Sequence, residues 1–114
     1  MRFKIYERDG MKYSKLSGDN NKIHINKIFG YNSIFGETIC HGTLIVNNIF
    51  KIIKLENKIK KKNMFSIRIE FLKHFKYNNE ISIIKKNNIF KVYQEKKKKL
   101  EIEIKYNNNL NVYN

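Results

Sequence analysis

An aspartate, two histidines and four glycines are gathered between residues 13 and 44. Asp19 follows Ser17-Gly18, His24 comes after Asn20 and Asn21, and His41-Gly42 closes the run Phe35-Gly-Glu-Thr-Ile39-Cys40-His41-Gly42-Thr-Leu44. Gly18 permits a sharp bend, because glycine tolerates positive φ. A bent loop of this kind can aim a carboxylate and an imidazole at one point. Imidazole titrates near neutrality, and a carboxylate can orient or share its proton, so the pair suits proton transfer. Gly42 and Thr43 read as the first turn of a helix, where free backbone N–H groups point at negative charge. The segment therefore offers a base, a partner acid and an anion-stabilising amide. An aspartate after glycine is also an ordinary turn or cap residue, and a single histidine is often structural. The combination is what points to a site.

The rest of the chain must position these groups. Phe3 and Ile5 alternate with Lys4 and Tyr6, which predicts a short strand. Asp9-Gly10 reads as a turn, and Met11 to Leu16 as a short helix delivering Ser17-Gly18-Asp19. Asn26 to Tyr31 reads as one or two helical turns capped by Asn26. From Gly42 to about Leu55, apolar residues recur at helical spacing and cover nearly every side, the pattern of a buried helix. Residues Asn57 to Asn63 read as a basic linker.

Beyond this the period changes to two. Phe65 to Phe71, Ile81 to Ile84, Ile89 to Tyr93 and Leu100 to Tyr106 read as strands of an antiparallel meander. Tyr77-Asn-Asn, Lys85 to Asn88 and Lys96 to Lys99 are the expected turns. Asn107 to Asn114 is polar enough to fray. One buried helix with such a sheet gives a single α+β domain over residues 1–114, the sheet curved around one long helix.

Composition bounds the function. The chain has 114 residues and a formal charge of +14, enough for one domain with a modest core, which pairing with a second copy would help. Lysine far outnumbers arginine, and asparagine and isoleucine abound, as codons of an AT-rich genome favour. The basic surface still attracts polyanions. Nucleic-acid binding is not expected, because no aromatics are set among the basic residues on a recognisable module. The lysine runs at 58–62 and 96–99 read as solvated turns. No apolar run is long enough to cross a membrane, and the start lacks the apolar stretch of a signal peptide. The single Cys40 excludes an intrachain disulfide and fits a reducing cytoplasm. No metal is expected: the three histidines and one cysteine lack ligand spacing.

The stretch resembles the MaoC-like, or (R)-specific enoyl-CoA hydratase, branch of the hot-dog superfamily. Ser17-Gly18-Asp19, Asn21, Ile23-His24, then Phe35-Gly36, Ile39, His41-Gly42 and Leu44 follow the family's pattern and spacing. Residues 71 to 81 resemble its later Phe-x-x-Pro-x-x-x-Gly-Asp segment. The resemblance implies a hot-dog fold and reversible hydration of trans-2-enoyl thioesters to (R)-3-hydroxyacyl thioesters. It implies catalysis by Asp19 and His24 with the Gly42 amide, and substrate binding or loop support from Asn21, Phe35, Gly36, Ile39 and His41. It implies an acyl thioester of coenzyme A or of an acyl carrier protein as substrate, no cofactor, and a homodimer. A hot-dog thioesterase or a non-catalytic binding module is the alternative. The chain departs from the pattern at Lys22 and His74, where the family has proline, and at Asn78-Asn79, where it has Gly-Asp.

Overall fold

The computed structural model describes residues 1–55 and 64–106. The expected linker and C-terminal tail lie outside the described residues. The elements run β1 (Arg2–Phe3), α1 (Glu7–Ser17), α2 (Lys22–Ile25), α3 (Lys27–Tyr31), α4 (Gly42–Ile52), β2 (Met64–Phe71), β3 (Ile81–Lys86), β4 (Ile89–Gln94) and β5 (Lys97–Tyr106). No helix among the described residues is long and apolar enough to cross a membrane.

Among the described residues five antiparallel strands form one sheet in the order β1-β3-β4-β5-β2. Strands β3, β4 and β5 make the expected meander, while β2 lies beyond β5 at the edge. Helix α4 lies on the sheet. Ile45 and Ile49 are fully buried, with Val46 and Ile53 beside them, in one cluster with Ile81, Ile83, Val92, Leu100, Ile102 and Ile104. Burying each such side chain stabilises by roughly 1.5–3 kcal/mol. This is the hot-dog arrangement. The helix is less enclosed than its sequence suggests: Thr43, Asn47 and Lys51 form an exposed stripe. Those positions recur every four residues, so a single face stays wet.

Two local readings need correction. Asp9 and Gly10 do not turn; they lie inside α1. Asp9 accepts the Tyr6 N–H through Oδ2 at 2.8 Å, a helix-start contact that favours acid in the first turn. Gly10 is small for a packing reason, since a Cβ there would collide with the Tyr77 hydroxyl. Lys97 to Lys99 are strand residues, because the turn is Glu95-Lys96, with φ of 53° and 63°. The pairing skips from Val92↔Leu100 to Tyr93↔Lys98. The bulge leaves Lys99 without a partner strand residue and turns it inward, where it is 4% exposed. Burial depresses its ammonium pKa. Asn87, with φ of 57°, takes the left-handed position of the other tight turn.

Buried Gln94 ties the sheet to the site. Its side-chain amide accepts from the Lys76 N–H at 2.7 Å and donates to the carbonyls of Lys76 and Asn79. The segment so fixed then holds residues 39 and 40, through the Ile39↔Lys76 bridge and the Cys40 N–H on the Phe75 carbonyl.

Candidate active site

Helix α1 ends where Gly18 adopts φ of 79° and its N–H returns to the Ser14 carbonyl. This left-handed stop needs glycine. Asp19 emerges immediately after it, exposed. Its N–H donates to the Ser17 hydroxyl oxygen at 3.1 Å, and its Oδ1 accepts from the Asn21 N–H at 3.3 Å. Asn21 caps α2: its side-chain oxygen accepts the Ile23 N–H at 3.1 Å. Asn21 thus braces the backbone between the acid and the imidazole. His24 sits on this short helix rather than on an open loop.

The tautomer of His24 follows from its partner. Nδ1 lies 2.9 Å from the Ile39 carbonyl oxygen. A carbonyl only accepts, so Nδ1 carries the hydrogen, and neutral His24 keeps a bare lone pair at Nε2. Ile39 also donates its own N–H to the Ile23 carbonyl. The Tyr77 hydroxyl donates to the His24 carbonyl at 2.9 Å. The ring is thus anchored at Nδ1 and the His24 backbone at its carbonyl.

His41 is 1% exposed and stacks on His24, with ring centroids 4.0 Å apart and planes 25° apart. Its Nε2 donates to the Asp19 carbonyl at 3.1 Å and stands 3.1 Å from the Ser14 hydroxyl. Tyr13 meets it edge-on at 5.0 Å and donates its own hydroxyl hydrogen to Thr43. Burial pushes the His41 pKa down, so the ring is neutral at pH 7. Among the described residues its Nδ1 is buried without a hydrogen-bond partner. Scattered in sequence, His24 and His41 are neighbours in space, which corrects the reading that the histidines stand apart. One donor atom each from Asp19, His24 and His41 falls within 4.8 Å of the others. A cation held there would occupy the lone pairs of these groups.

Gly42 opens α4, behind His41. Among the described residues its N–H has no acceptor, and N–H groups of a first helical turn are unsatisfied by the helix itself. A Cβ at this position would lie 3.1 Å from two carbons of the Phe71 ring. Glycine here therefore makes room for a side chain as well as for any ligand. Phe35 and Gly36 stand further out. The Phe35 ring packs on His74 at 4.6 Å, and Gly36 takes a left-handed turn with φ of 73°. Ile39 contributes its carbonyl. Burial raises the Cys40 thiol to about 12, so it stays protonated. Sequence reading passed over Ser14, Tyr13, Tyr77 and Phe71.

The fold is that of a hot-dog protein, in which an acid and two imidazoles come together just before the start of α4. The family profile described as MaoC like domain matches residues 2–107, and the chain belongs to that family. Solved structures share the fold. An (R)-hydratase from A. caviae involved in PHA biosynthesis has a TM-score of 0.72 at 14% identity, covering 91% of this chain and 88% of that one. R-hydratase PhaJ1 from Pseudomonas aeruginosa gives 0.62 at 20%, covering 93% and 76%. A monoamine oxidase regulatory protein from Archaeoglobus gives 0.72 at 16%, covering 93% and 83%. No curated protein sequence matches the chain.

Proposed function

We propose that this protein is a hydro-lyase that adds water reversibly across trans-2-enoyl thioesters, giving (R)-3-hydroxyacyl thioesters. The observation that carries the reading is the convergence of the Asp19 and His24 donor atoms within 4.8 Å, with a His41 ring nitrogen in the same cluster and Gly42 the next residue in the chain. In the hydration direction the His24 Nε2 lone pair takes one proton from a water, whose second hydrogen Asp19 holds. The water oxygen bonds to C3, and the C2–C3 π electrons shift toward the thioester oxygen. The Gly42 N–H stabilises the charge that builds there; one such donor is worth about 2.7–4 kcal/mol of barrier. The imidazolium then returns the proton to C2 on the face where the water stood. Neutral His41, stacked beneath and bonded to the Asp19 backbone, keeps acid and base in register.

A thioesterase is disfavoured because α4 contains no Asp or Glu. The acyl carrier is coenzyme A or an acyl carrier protein. We also propose a homodimer, in which a second copy covers the edge strand β2, where Ile69 and Phe71, with Leu72 just beyond its end, are 40–49% exposed. The test is loss of enoyl absorbance from crotonyl-CoA and from a crotonyl carrier protein. Asp19→Asn and His24→Ala should each lower turnover by roughly a hundred- to ten-thousand-fold with the fold retained. Wild-type turnover in both variants overturns the assignment. No turnover of any enoyl thioester by the native chain leaves a binding module instead.

A further inference from the structure

A groove of about 790 Å³ runs between α1 and α4, and nothing in the reaction above uses it. One end reaches the site: Tyr13, which lines it, touches His41 and Thr43, and Ser17, also on its wall, holds the Asp19 N–H. From there α1 runs back towards its N-terminus and α4 forward towards its C-terminus. The far end therefore carries Arg8 from one helix and Lys51 from the other, with Lys4 and Lys12 on the same walls. Every glutamate among the described residues is held by a lysine or arginine outside this groove. Asp9, the one acid on the groove wall, already accepts the Tyr6 N–H. Among the described residues the four groove cations form no ion pair.

We propose that this groove seats the phosphopantetheine arm of the substrate, with the phosphate among Arg8, Lys51, Lys4 and Lys12; the proposal rests on the thioester reading above. Length agrees. Lys51 stands nine helical steps beyond Gly42, about 14 Å along the axis at 1.5 Å per step. Fourteen bonds separate the thioester carbonyl carbon from the phosphorus, which span about 16 Å when extended. Chemistry agrees as well. The arm carries two amides, and midway along the groove stand Asn47 and Asn48. Among the described residues the Asn47 side chain has no hydrogen-bond partner, and Asn48 uses only its Nδ2, on the Leu44 carbonyl at 2.9 Å. Leu16, Leu44 and Phe50 supply apolar wall for the methylene and gem-dimethyl groups. The groove is open to solvent, so the attraction is modest per cation and sensitive to salt.

Four saturated probes that cannot turn over test the assignment by calorimetry: butyryl-pantetheine, butyryl-4′-phosphopantetheine, butyryl-CoA and a butyryl carrier protein. The phosphorylated arm should bind on the order of tenfold tighter than the phosphate-free arm, and the gap should close in the double variant Arg8→Glu, Lys51→Glu. Lys85→Glu, Lys86→Glu removes the same net charge on exposed β3 and should leave the gap intact. Tighter binding of the carrier protein than of butyryl-CoA identifies a carrier-borne substrate, the reverse identifies coenzyme A, and equal binding places recognition in the shared arm; each supports the groove. Equal affinity for the first two probes overturns it, as does a gap that survives the groove variant. Turnover of crotonyl-pantetheine is measured in parallel. Activity without a phosphate preference sinks the groove alone, and a groove-dependent preference without activity sinks the hydro-lyase reading alone.

Discussion

Replacing Gly42 by alanine separates the amide from the space around it. The backbone N–H survives the change, and Gly42 does not require positive φ. Alanine in place of glycine near a helix start gains up to about 1 kcal/mol in propensity. Against this, the new methyl arrives 3.1 Å from the Phe71 ring, closer than ordinary contact, and overpacking of a rigid core costs about 1–3 kcal/mol. Phe71 is 49% exposed, so its ring can swing outward and relieve most of that. The two terms nearly cancel, and the expected change in unfolding free energy stays within about 1 kcal/mol, a Tm shift of only a few degrees. Catalysis should not be spared. A methyl and a displaced ring at the head of α4 keep the thioester oxygen from the N–H, which amounts to losing one donor, about a hundredfold or more in kcat. The assay is crotonyl thioester hydration beside thermal unfolding, for Gly42→Ala, Phe71→Ala and both together. If the ring and the methyl compete, the double variant is more stable than the sum of the singles, with a coupling of about 0.5–1.5 kcal/mol. Full wild-type kcat in Gly42→Ala would refute the placement of the reacting oxygen at that amide. Strictly additive stabilities would refute the contact with Phe71.

Further outcomes follow from the buried polar groups. Burial holds the His41 pKa below its unfolded value, so the unfolded chain binds the proton more readily. Stability should then fall as pH drops below about 6.5, the unfolded value; His41→Asn should flatten that slope in thermal melts, and an unchanged slope would rule His41 out as its source. Ser14→Ala removes one of two polar partners of His41 Nε2 and should cost about 1 kcal/mol in urea unfolding, with no change in m. The Cys40 thiol, buried and raised to about 12, should resist iodoacetamide in the native protein and react on unfolding. Rapid modification of the native chain, followed by mass spectrometry, would contradict its burial.

Much of this architecture was legible because it depends on period. Ile81, Ile83, Val92, Leu100, Ile102 and Ile104 alternate in sequence and are all nearly fully buried. Ile45 and Ile49 mark the buried face of α4 just as directly. Asn26 announced its cap: its side-chain oxygen accepts the Phe29 N–H at 2.9 Å. What sequence hid was set by contacts between distant segments. Asp9-Gly10 carries turn chemistry, but the Tyr77 ring against Gly10 and the Asp9 contact with Tyr6 make it a helix start. Lys99 sits in a charge run that reads as solvated, yet a bulge turns it inward. The stacking of His41 on His24 joins residues 17 apart through a bend that no local rule predicts. Phe71 was seen as strand, while its place over Gly42 depends on how β2 meets the head of α4.

The central claim is that one water, worked by Asp19 and His24 on a single face, adds across the double bond. Hydration of a crotonyl thioester in deuterium oxide tests it most directly, with the product analysed by NMR for the configuration at C2 and C3. The account predicts an (R)-3-hydroxy product in which deuterium and hydroxyl have entered from the same side. Deuterium and hydroxyl on opposite sides, or an (S)-3-hydroxy product, would contradict it.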